Sequence, residues 1–467
     1  MSAEPGLRQV SAEPGLRKDA LGLVHAVAIG VAGTAPAYTI AASTAALVGA
    51  VGALAPASLL YCSLIMAGIT FAFVHLNRVD PDSGASYTWV GRVLHPGLGF
   101  LCGWTVLVSS VLFTVSATLL AATATLQLIA PDLAESHAHI VGMAALWLVA
   151  ITLVEVRGMR LTGIVQIWIT SIEVAVLAVL AVVAFGRYGA EIGALLSRAS
   201  FAPGAFSTET FSAGALIAVF FFWGWDVTLN TSEETRNARH LPGVAALLAM
   251  VIITVAFMAF LMVTLVVLDE SGIQASGANV LFAVADKLLP RPWSYVAVLA
   301  VLLSSIGSLQ VSLLQFARTL FAQARAGDMH RRWSQVHARW QTPHLATWLN
   351  TALGLALLVL ALAFPSIDAL LNASINAIGL NIAFYYGLAA VACAWYFRKE
   401  AMRSAGLLLF AVAWPLLSAL ALWAAAAMAA REMNAITLAI GLGAIALGVI
   451  PLAWRHVKKV DSRESRL

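Results

Sequence analysis

Long apolar runs, broken at polar positions or at proline and glycine, recur along almost the whole chain. A membrane-spanning helix takes about 20 mostly apolar residues. Runs of that kind predict helical spans near residues 22–49, 53–76, 97–129, 138–156, 162–186, 210–231, 243–268, 293–323, 344–363, 369–397, 405–429 and 434–455. Twelve spans would leave both termini on one side of a bilayer.

Composition narrows the picture. Of 467 residues, 61% are hydrophobic and only 11% are charged, where a soluble chain carries about 25%. So little charge excludes a soluble globular enzyme, and it equally excludes intrinsic disorder. The net charge of +4 fits the gathering of Lys and Arg on cytoplasmic loops better than a nucleic-acid partner. With the N-terminus inside, all but Arg187, Arg198, Lys287, Arg291 and Arg431 of the 27 basic residues fall on the inner side. One missing or extra span would scramble that segregation. A multi-pass protein of the cell membrane with cytoplasmic termini is therefore expected, with no nucleic-acid role.

Cys62, Cys102 and Cys393 sit singly in apolar runs, as small buried hydrophobes do, and offer neither a disulfide frame nor a metal site. The N-terminus repeats itself, SAEPGLRQV then SAEPGLRKD, with Pro5 and Pro14 opposing a helix. A short disordered cytoplasmic tail over residues 1–20 is expected, not a cleavable signal peptide.

Chemistry enters at the interruptions. The first span contains GVAGTAPAY (Gly30 to Tyr38), in which two glycines and Pro36 oppose a continuous helix. A break there would expose amides at the start of a second half-helix near Thr34, a setting suited to an anionic group. Pro36 fits the first turn of such a half-helix. A kinked span or a close helix crossing explains this segment alone equally well. The sixth span contains FFFWGWDVTLN (Phe220 to Asn230), interrupted at Gly224 and Asp226. Paired interruptions in two halves of a chain point to a transporter site near the membrane midplane.

Glu173 in the fifth span and Asp226 in the sixth are acids inside apolar runs. A charge at the bilayer centre costs at least roughly 2.5–3.5 kcal/mol on insertion scales, so both are candidate functional groups. The alternatives are a protonated structural hydrogen-bonder for Glu173 and a cap on freed amides for Asp226. Ser304 and Ser305 in the eighth span would ligate a sodium ion, bond Glu173, or bond their own helix. Asn372, Asn376 and Asn381, with Tyr385 and Tyr386, give the tenth span a polar stripe for helix-to-helix bonds or pore lining. No motif for a hydrolase, a nucleotide or zinc appears, so no cofactor, no metal and no catalytic residue is expected.

Four segments resemble those of the amino acid–polyamine–organocation permeases. They are DPDSGASYTWVGR (Asp80 to Arg92) leading to GLGFLCGW (Gly97 to Trp104), EVRGMRLT (Glu155 to Thr162), EETRNARHLP (Glu233 to Pro242), and RTLFAQARAGD (Arg318 to Asp328). The resemblance implies an all-α membrane fold of twelve helices with a leucine-transporter-type 5+5 inverted repeat and broken helices 1 and 6. The expected divisions are a tail over 1–20, repeats over 21–187 and 208–398, helices 11 and 12 over 404–455, and a tail over 456–467. It also implies that a substrate α-carboxylate meets the amides of Gly33, Thr34 and Ala35, while its ammonium meets carbonyls of Val31, Phe220 and Trp223 beside Gly224. Two departures stand out: Ala35 and Pro36 replace a more usual glycine and aliphatic residue, and Glu173 stands where some relatives carry lysine.

These observations predict a permease for an amino acid or related small amine, monomeric or homodimeric, working by alternating access. Proton symport is expected, with Glu173, Ser304 and Ser305 as the ion-coupling set and Asp226 as a second gate or proton candidate. An exchanger, a sodium symporter and a non-transporting membrane amino-acid sensor are the alternatives.

Overall fold

A computed structural model describes residues 15–198, 201, 203–363, 367–433 and 435–453. Among the described residues the chain is helical throughout, and its single β-type pairing is an isolated parallel bridge between Leu21 and Thr235. The first predicted span is two helices, α1 (Leu23–Gly33) and α2 (Pro36–Val51), followed by α3 (Ala55–Val79), α4 (Ser86–Val93), α5 (Pro96–Ile129) and α6 (His137–Glu155). Next come α7 (Met159–Arg198), α8 (Thr208–Phe221), the short α9 (Val227–Asn230) and α10 (Leu241–Val267). Two short helices, α11 (Glu270–Ser276) and α12 (Val280–Leu288), precede α13 (Val296–Arg325), α14 (His344–Ala361) and α15 (Ile367–Phe397). Then α16 (Ala405–Leu407) runs through a π-helical turn (Leu408–Ala413) into α17 (Trp414–Glu432), and α18 (Ala435–Leu447) follows.

Local chemistry sets several of these boundaries. Pro96 opens α5 while the His95 ring accepts from Gly97 N–H, so the first turn loses no backbone donor. Ser207 and Asp269 cap α8 and α11 by accepting from Thr210 and Gly272 N–H. Nine helical stretches among the described residues are long and apolar enough to cross a membrane, with α1 to α3 forming one of them; α8 and the last helix are apolar but shorter. The chain is a multi-pass membrane protein.

Burial separates an inner group of helices from an outer one. The most apolar windows of α5, α13 and α15 are 89%, 83% and 83% buried, against 28% for α6 and α7. Leu146, Trp168, Val179 and Val182 therefore present large apolar side chains outward, a surface that suits lipid and not water. α5 and α13 pack along each other through the centre, and α1 lies against α7, α10 and α13.

Three expectations change. α7 extends well past residue 186, with non-helical backbone at Tyr188. Short helices α4, α11 and α12 occupy the connections between the expected spans. The expected tail over 1–20 is ordered at its end, where Leu16 is buried and Leu21 is paired. Most of the repeated SAEPGLR segment, and the C-terminal tail over 456–467, lie outside the described residues.

Candidate functional site

The first break is a sharp one. α1 stops at Gly33, Ala35 takes a left-handed conformation (φ 48°, ψ 65°), and α2 restarts at Pro36. Proline has no N–H to continue the ladder, so its position at the first residue of α2 makes the break cheap. Thr34 closes α1 on itself: its N–H and its Oγ1 both donate to the Val31 carbonyl, and Ala35 N–H donates to Ala32.

α2 presents its first available amides at Ala37 and Tyr38, and both are occupied. Ala37 N–H donates to Glu173 Oε1 at 2.8 Å, and Tyr38 N–H donates to Ser304 Oγ at 3.1 Å. The Glu173 residue is fully buried, and its second oxygen, Oε2, meets no hydrogen-bond partner. Ser305 Oγ is likewise buried without a partner. A carboxyl group thus sits at the positive end of a 16-residue helix.

The second break lies between α8 and α9, where Gly224 has φ +106°, a conformation open to glycine and costly for other residues. The two breaks touch through backbone. A Cβ on Gly33 would lie 2.2 Å from the Gly224 carbonyl oxygen, and a Cβ on Gly224 would lie 2.2 Å from that of Gly33. Asp226 heads α9 without capping it. Its carboxyl instead accepts from Tyr386 Oη at 2.8 Å, Gln315 Nε2 at 3.1 Å and Tyr385 Oη at 3.2 Å. Trp223 Nε1 donates to Tyr385 Oη at 2.7 Å, which ties the break to α15. Neither Glu173 nor Asp226 has a Lys or Arg partner among the described residues.

The structure brings Glu173 and Ser304 to the start of α2, and it brings Gly33 against Gly224. The N–H groups of Thr34 and Ala35, expected to meet a substrate carboxylate, here close the last turn of α1. The expected acceptor Val31 already takes two donors, and Phe220 takes Trp223 N–H. Tyr385, Tyr386 and Gln315 were missed as Asp226 partners. The polar stripe that holds these tyrosines also carries Asn372 and Asn376, whose side-chain bond stays within α15.

A second group of charged side chains lies where all four motif segments meet. Arg318 is fully buried and donates to Glu155 Oε1 at 2.8 Å and to Glu234 at 3.0 and 3.2 Å; Thr162 Oγ1 also donates to Glu155. Beside it, Arg325 bridges Glu233 at 2.7 Å and Asp82 at 3.2 Å, and Arg92 reaches Asp80 and Asp82. Burial alone would raise the Glu233 carboxyl, but hydrogen bonds from Arg325 and from Ser83 N–H outweigh it and hold it below the ordinary range. A cleft of about 730 Å³ opens here, lined by Lys18, Asp82, Glu233, Asn237 and Arg325.

Two helices broken at a pair of touching glycines, with buried acids beside them, are features found in helical membrane transporters. The comparisons agree. The chain belongs to the amino acid permease family, whose profile matches residues 21–450. It is 26% identical over 332 residues to a low-affinity putrescine importer of Escherichia coli (strain K12), covering 70% of each chain. It is 27% identical over 356 residues to vacuolar cationic amino acid transporter 2 of Arabidopsis thaliana, covering 70% of this chain and 53% of that one. It is 22% identical over 298 residues to a serine/threonine exchanger of Bacillus subtilis (strain 168), covering 63% and 65%. The family and these relatives are permeases, so this chain is a transporter and not an enzyme.

Proposed function

We propose that this permease carries a small amine or amino acid by alternating access about the two helix breaks, with proton coupling through Glu173. The observation that carries the reading is the buried Glu173 carboxyl, bonded to the amide end of α2 and left with one oxygen free. A group so placed can take and release a proton as the site turns from one face of the membrane to the other. The twelve spans divide into inverted repeats over 21–187 and 208–398, with 404–455 packed beside them. Both termini are cytoplasmic in the cell membrane. Ser304 supports the coupling group through the start of α2, Ser305 offers a free hydroxyl nearby, and Asp226 is the second gate.

The deciding measurement uses the full chain reconstituted in vesicles. Glu173→Gln is expected to abolish proton-gradient-driven accumulation while leaving counter-exchange of substrate. Normal concentrative uptake by that variant would remove Glu173 from the coupling role. Exchange is the second reading, supported by the likeness to a serine/threonine exchanger. A non-transporting sensor would bind without flux in the same vesicles, and stimulation by sodium at fixed pH would replace the proton.

A further inference from the structure

The start of a broken helix is where a transporter can seat an anionic group of its substrate, because amide donors and helix dipole converge there. In this chain that seat is filled from within. Pro36 supplies no donor, Ala37 N–H goes to Glu173 Oε1, Tyr38 N–H goes to Ser304 Oγ, and Thr34 and Ala35 N–H groups fold back onto α1. Oε1 occupies the Ala37 amide whether or not Oε2 carries a proton. A substrate carboxylate arriving at α2 would therefore have to displace a fully buried side chain already at hydrogen-bond distance.

At the other break the chemistry asks for a cation. Asp226 is 2% exposed, lies two residues past the Gly33–Gly224 contact, and is met only by neutral donors. A buried carboxylate with no basic partner is costly, and an ammonium group would supply the missing charge.

We propose that Glu173 is a built-in carboxylate that fills the seat at α2, so that the substrate class is an amine lacking an α-carboxylate, a diamine above all, with its ammonium held by Asp226. This rests on the permease reading above and sharpens it to one class.

The test compares molecules that differ only by the carboxylate: 1,4-diaminobutane against ornithine, and 1,5-diaminopentane against lysine. Binding to the purified full-length protein and uptake into vesicles are both measured. The decarboxylated member of each pair is expected to bind at least tenfold tighter and to be the one taken up. Equal or tighter binding of the amino acids would overturn the proposal while leaving the permease intact. Amine binding with no flux would instead overturn the permease reading.

Two variants separate the seat from the proton. Glu173→Gln keeps a carbonyl oxygen for Ala37 N–H, so it should keep the amine preference although it loses proton coupling. Glu173→Ala empties the seat and should shift the binding ratio at least tenfold toward the amino acid. An unchanged ratio in Glu173→Ala would overturn the role of Glu173. If that variant does not fold, loss of the amine preference in Glu173→Gln would overturn it equally. Asp226→Asn should weaken diamine binding at least tenfold, and unaltered binding would remove Asp226 as the ammonium partner.

Discussion

Gly33 and Gly224 set the tightest constraint at the scale of single residues, because each leaves the other's carbonyl no space for even a methyl group. Replacing either with alanine is expected to abolish uptake, since backbone must shift and Gly224 also needs its positive φ. Gly142 in α6 is the control: a Cβ there meets nothing within 4 Å, and alanine should be neutral or stabilise the helix by about 1 kcal/mol. Vesicle uptake checks the first pair and thermal stability in detergent the second. The two acids were legible in the sequence because an acid in an apolar run is costly enough to demand a role. Their partners were not. Ala37, Gln315 and Tyr385 lie far along the chain from the acids they serve, and only the packing of α2, α13 and α15 reveals them.

At the scale of elements, the long helices are readable from apolar length, and the breaks from the pairing of Gly30, Gly33 and Pro36 in the first span with Gly224 and Asp226 in the sixth. The short helices α4, α11 and α12 were not readable, since mixed polar stretches of eight or so residues look like loops until a neighbour covers one face. The same limit hid the Arg318 group. Its three segments stand far apart in the sequence, while the ion pairs that join α6, α13 and the exit from α9 are properties of the fold. Removing one member of a buried charge group typically costs about 3–5 kcal/mol, because the partners stay buried and uncompensated. Arg318→Met should therefore lower the melting temperature in detergent sharply. Arg318→Lys should restore little, as one ammonium cannot reproduce a fork that bonds Glu155 and both oxygens of Glu234.

Across the whole molecule, among the described residues, the ion pairs other than Arg291–Asp286 gather near the cleft, while the acids at the breaks have no basic partner. The half-buried Glu233 makes this end sensitive to acid. Its carboxyl is held below the ordinary range in the folded protein, so its stabilisation is complete above the unfolded value and fades as pH falls through the lowered folded one. The stability difference between the wild type and Glu233→Gln should thus be largest near neutral pH and vanish under strong acid. A difference that persists undiminished below the carboxylate range would contradict this assignment.

The small parallel bridge between Leu21 and Thr235 has a mechanical consequence. Leu21 N–H donates to the carbonyl of Glu234, the residue that grips Arg318, and its own carbonyl accepts from Arg236 N–H. The chain just before the first broken helix is stitched to the chain just after the second. The two broken helices are thereby yoked at one end, and a tug on the leading segment is a tug on both.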